Sequence, residues 1–135
     1  MRTIFLKNKP RIIGSYSIVG PKEGRGPFGE YFDFVMQNDM FGEKTYEKAE
    51  RKMIEFAITQ SIEKAKLKKE DIELMLSGDL LNQIISSSYA ARTFNFPYLG
   101  LFGACSTMAE TIAVGSLLVD GGYLKNVVCS TSSHF

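Results

Sequence analysis

Two cysteines and a single histidine are the readiest nucleophiles and bases in this sequence, and one of the three stands where a backbone can activate it. That residue is Cys105, in Gly103-Ala104-Cys105-Ser106-Thr107, where a strand pattern runs through small residues straight into a helical one. A side chain at such a turn lies at a helix N-terminus, whose unpaired N–H groups and dipole favour negative charge. Thiols so placed ionise more readily and are stronger nucleophiles than ordinary ones. The same N–H groups, with the hydroxyls of Ser106 and Thr107, suit an oxyanion or a carboxylate ligand. Locally, a small buried hydrophobe fits Cys105 equally well.

Other candidates are weaker. Cys129 falls mid-strand between Val128 and Ser130 and reads as core packing. His134 follows the fourth strand pattern, and in open α/β sheets the carboxyl ends of strands border the ligand crevice. That location brings His134 toward Cys105, although a lone histidine at a chain end is more often simply exposed. Asp79 also follows a strand end and, with His134, is a candidate ligand-binding residue, although capping the next helix is the commoner role there. Gly24, Gly26 and Gly29 spell G-x-G-x-x-G, but Pro27 interrupts the motif and no helix opens there, so turns are expected instead of a dinucleotide site. No CxxC and no histidine at metal-ligand spacing are present, so neither a metal nor a cofactor is called for.

The elements that position Cys105 alternate. Arg11–Val19 is β-branched and aromatic and reads as a first strand. Residues 20–44 form a long Gly/Pro/aromatic excursion, expected to be ordered because Phe28, Tyr31, Phe32, Phe34, Met36, Met40 and Phe41 need an apolar surface to cover. Thr45 is a helix N-cap, followed by an apolar stripe through Tyr46, Ala49, Met53, Ile54, Ala57, Ile58, Ile62 and Ala65; Glu50, Arg51, Glu55 and Lys64 are assigned to its solvent face. Ile72–Leu76 is a buried strand closed by Ser77-Gly78-Asp79, and Leu80–Phe94 a second helix. Tyr98–Phe102 is a third strand. Cys105–Val119 is a helix so small and apolar that burial nearly all round is expected, ended by Gly121-Gly122. Asn126–Thr131 is a fourth strand. The order β-α-β-α-β-α-β predicts an α/β fold with a mostly parallel sheet and helices on both faces.

At 135 residues the chain is one domain at most, and its net charge of +1 points to no nucleic-acid partner. The N-terminal residues lack a signal-peptide run, and no segment approaches the roughly 20 apolar residues a bilayer span requires. A soluble protein that reaches a membrane only by docking is the expectation.

The run from Pro97 to Ser132, with its strand, cysteine elbow, small-residue helix, Gly-Gly stop and NVVCST strand, resembles the thiolase superfamily. The stretches GPKEGRGPFGEYFD, FGEKTYEKAERKM, FGACSTMAE and CSTSSHF resemble more closely its sporulation branch, the stage V sporulation protein AD family. The resemblance covers essentially the whole chain and implies the N-terminal half of a two-half protein, typically a dimer. It implies a component binding dipicolinic acid, a small aromatic dicarboxylate, for uptake into the developing spore and release at germination. The implied companions are the membrane channel subunits of the same system, with a peripheral location at the spore inner membrane or in the forespore. Under that resemblance the ligand sits near the N-terminus of the Cys105 helix, with Tyr or Phe rings against its face. Cys105 maps onto the superfamily nucleophile, so a cysteine-dependent acyltransferase is the alternative. Cys105-Ser106-Thr107-Met108 departs from the usual Cys-x-Ser-Gly surroundings, and the enzymes' His or Asn partners come from the second half.

Overall fold

The centre of the chain forms a sheet because its apolar runs are short, β-rich and separated by helical patterns. A computed structural model describes residues 3–134. Its elements are β1 (Ile18–Val19), α1 (Pro21–Gly24), β2 (Phe34–Val35), α2 (Tyr46–Lys64), β3 (Leu74–Asp79), α3 (Ile85–Phe94), β4 (Tyr98–Gly100), α4 (Thr107–Asp120) and β5 (Val127–Ser132). Strands β4, β3 and β5 lie side by side in that order, all parallel. Register is set by Met75 opposite Tyr98 and Val128, and by Leu76 opposite Leu99 and Cys129.

Alternation along β3 sends neighbouring side chains to opposite faces. Met75 joins Ile54, Ile58 and Ile62 of α2 and Ala90 and Ala91 of α3 in one buried cluster. Leu76 points the other way, toward Gly115 of α4. Helices therefore cover both faces, as the β/α alternation predicts. Gly115 is what allows α4 so close: a Cβ there would stand 2.8 Å from Cys129 Sγ and 3.1 Å from Val127. Thr45 caps α2, its Oγ1 accepting from the Lys48 N–H at 3.3 Å.

Several expectations are corrected. Of Arg11–Val19, only Ile18 and Val19 form a strand, and they pair with Phe34 and Val35 of the excursion in a separate two-stranded parallel sheet. β propensity does not make a strand without an edge to pair with, and Ile12 and Ile13 are instead 76% and 57% exposed. The excursion itself is ordered. Phe34 packs with Phe41 and Phe56 at 6.0 and 5.2 Å between ring centroids, and Met36 is buried, while Phe28 and Tyr31 remain exposed.

Strand β3 does not close at Ser77-Gly78-Asp79 but continues through it, pairing with Ser130, Thr131 and Ser132. Neighbouring backbone outweighs the turn signal, and Gly78 is needed because a Cβ would collide with the Leu101 carbonyl. The second helix starts five residues later than Leu80, after an irregular approach in which Gln83 has φ +64°. Helix α4 buries only Thr107, Thr111 and Gly115; Met108, Ala109, Ala113 and Leu117 are exposed, so its apolar character is used on one face within these residues.

Candidate functional site

The turn between β4 and α4 opens on a glycine because a larger residue does not fit there. A Cβ on Gly103 would strike the Glu110 carboxylate and the Ser106 hydroxyl. Ala104 adopts φ +52°, a left-handed conformation unusual for a residue with a side chain. Ala104–Ser106 make one 3-10 turn and α4 follows directly. Cys105 is thus placed at the opening of the helix, exposed at the rim and not within the α4 body.

Ser106 and Thr107 are occupied locally. The Ser106 hydroxyl lies 2.8 Å from the Gly103 carbonyl and 2.5 Å from Glu110 Oε1. Thr107 Oγ1 donates to the Ala104 carbonyl at 2.9 Å and accepts from the Gly103 N–H at 3.1 Å. The first turn of α4 thereby already holds one carboxylate, Glu110, where the dipole favours it.

Beside Cys105 opens a trough of about 700 Å³ running the length of β5. Its walls come from α2 (Met53, Ala57), α4 (Met108, Ile112, Val119) and the Pro10–Tyr16 segment. At the cysteine end the wall includes Thr131, Ser132 and Ser133; at the other lie Lys125 and Asn126. The segment read as a first strand stands across this gap instead of closing it.

Asp79 and His134 are held elsewhere. Asp79 is 1% exposed and accepts from the Asn82 N–H at 3.0 Å, the Ser87 N–H at 2.9 Å and the Ser87 hydroxyl at 3.0 Å. It caps the approach to α3, the structural role expected of it. His134 is buried at 8% exposure, contrary to the expectation of an exposed end. Its ring packs on Tyr46 with centroids 4.7 Å apart, and Nε2 lies 2.5 Å from the Asp39 carbonyl. It is not part of the trough wall that carries Cys105. Cys129 is a packing residue, its Sγ 3.2 Å from the Thr111 carbonyl and its thiol pushed up to about 11 by burial.

The sequence reading missed Glu50. Assigned to the solvent face of α2, it is fully buried, and Oε1 accepts from the Ser132 hydroxyl at 2.9 Å. Burial raises its carboxyl above the usual glutamate range; Ser132 and Ser86 hydroxyls oppose the rise, nearby Asp79 adds to it, and His134 opposes it. A signal was available: Glu50 lies four residues after Tyr46 and four before Ile54, on the face those residues define.

Parallel strands flanked by helices, with a cysteine turn opening α4, define an α/β protein whose architecture is consistent with a thiolase-like half. The family that fits it is a sporulation family. The sequence profile of stage V sporulation protein AD (SpoVAD) matches residues 1–135, and the chain belongs to that family. The stage V sporulation protein AD of Bacillus subtilis (strain 168) is 48% identical over 115 residues, covering 85% of this chain and 34% of the relative. The chain thus spans about a third of the curated relative it matches.

Proposed function

We propose that the full-length protein is a non-catalytic binding component for dipicolinic acid, serving its uptake into the developing spore and its release at germination. Membership of the SpoVAD family carries this reading. The trough supports it: Met108 and Ile112 offer apolar surface to an aromatic ring, and the hydroxyls of Thr131 and Ser133 stand at the end where Cys105 lies. Because Glu110 already occupies the helix opening, carboxylates of the ligand meet these hydroxyls more favourably than the dipole itself. A second thiolase-like half, or a second copy, covers the exposed apolar side chains of α4, and channel subunits of the same system supply the route through the membrane. No helix among the described residues is long and apolar enough to cross a bilayer, which accords with a peripheral role.

Titration of the full-length protein with dipicolinate tests the reading. Cys105→Asp, which adds a negative charge at the rim, is expected to weaken binding at least about tenfold, while Cys105→Ala has little effect. Equal affinity for all three proteins would remove the site from this trough.

One observation favours a second reading. A thiol at the end of a long apolar trough is also the geometry an acyl chain held as a thioester on Cys105 would need. In that reaction the thiolate displaces the thiol of an acyl donor such as acyl-CoA, which leaves with the proton. Intact-mass measurement after incubation with acyl-CoA decides it: an acyl adduct lost in Cys105→Ala supports the transferase, and no adduct ends it.

A further inference from the structure

At the carboxyl end of the sheet four elements converge on a second, deeply buried group. Glu50 comes from α2, Ser132 and His134 from β5 and its continuation, Ser86 from α3, and Asp79 from the end of β3. Glu50 is 0% exposed, Ser86 2% and His134 8%, and each leaves a polar atom without a hydrogen-bond partner: Oε2, Oγ and Nδ1 respectively. Three donors meet the Asp79 carboxylate, whereas Glu50 receives one well-formed hydrogen bond, from Ser132, with the Ser86 hydroxyl a weaker favourable neighbour. Among the described residues no lysine or arginine forms an ion pair with either. Of the groups around Glu50 the His134 ring favours the ionised form, but two negative charges in one buried site are costly, and the carboxyl with fewer donors is the one to stay neutral.

We propose that Glu50 is a protonated carboxyl that clamps the end of β5 to α2, and that release of its proton to solvent loosens the Ser132–His134 segment from α2. One turn before Glu50, the Tyr46 ring packs at a tilt against His134, so α2 holds the segment at two points. Ser132 and Ser133 also wall the cysteine end of the trough, so the clamp sets the shape of that end. The consequence for ligand binding rests on the function proposed above; the clamp itself does not. Burial acts in the direction that keeps the proton on Glu50. A carboxyl raised in this way supports the fold fully below the ordinary glutamate range and loses that support as pH rises through its raised value.

The test needs no ligand, so its failure is separate from failure of the binding reading. Thermal unfolding and amide exchange of residues 131–134 are followed in full-length wild type and Glu50→Gln from pH 4 to 8. Between low and high pH, wild type is expected to lose about 2–4 °C in Tm relative to Glu50→Gln. Exchange of residues 131–134 relative to the variant, compared at equal pH, should rise by up to about tenfold per pH unit. Parallel profiles, or a wild type that gains on the variant as pH rises, overturn the clamp. Should Glu50→Gln not fold, a carbon NMR titration of the Glu50 carboxyl in wild type decides: a midpoint above those of exposed glutamates supports the proposal, and one at or below them overturns it.

Discussion

Ala104 shows how tightly the cysteine turn is drawn. With φ +52° it occupies a region that costs an L-residue roughly 1 kcal/mol, and glycine removes that cost. Ala104→Gly is therefore expected to stabilise the protein by about 0.5–1 kcal/mol, read as a higher denaturant midpoint at unchanged slope. Cys105 was legible as the residue to watch, because a strand pattern meeting a helical one through Gly-Ala announces an elbow. Asp79 was legible as a cap for the same local reason. His134 and Glu50 were not, since their burial depends on α2 folding over the end of β5, a contact between residues 82 apart in the case of Glu50 and Ser132. Only the four-residue spacing of Tyr46, Glu50 and Ile54 hinted at it.

Among the elements, α4 and β5 make the closest approach. Gly115 lies under Cys129 and Val127 with no room for a side chain, so Gly115→Val is expected to cost about 1–3 kcal/mol, measured by chemical denaturation. Ser116→Val, on the trough side of the same helix, is expected to cost less. The four main features of the sequence pattern, α2, α3, α4 and the parallel ladder around β3, were readable from apolar period and capping residues. Apart from the Thr45 cap of α2, their ends were read less well. Ser77-Gly78-Asp79 has turn chemistry yet forms strand, because Ser130–Ser132 supply its hydrogen-bonding partners from far along the chain. Arg11–Ser17 has strand chemistry yet forms none, because the β5 edge lies across the trough from it.

The whole chain belongs to a sporulation family and spans about a third of its curated relative, so the apolar surfaces of α4 and the Pro10–Tyr16 segment are read as faces for more protein. Fold class followed from the β/α alternation; the trough did not, because a cavity is a property of how elements fail to meet. Its cysteine end is where the proposed ligand would sit, and Cys105 supplies its own reporter there. The rate of Cys105 alkylation in full-length protein, with Cys129, half-buried and with its thiol pushed up by burial, as the slow internal control, is measured with and without saturating dipicolinate. The account predicts that dipicolinate slows Cys105 labelling at least about fivefold while leaving Cys129 unchanged, since a bound ring would cover the rim. An unchanged Cys105 rate at dipicolinate concentrations that saturate binding would contradict it.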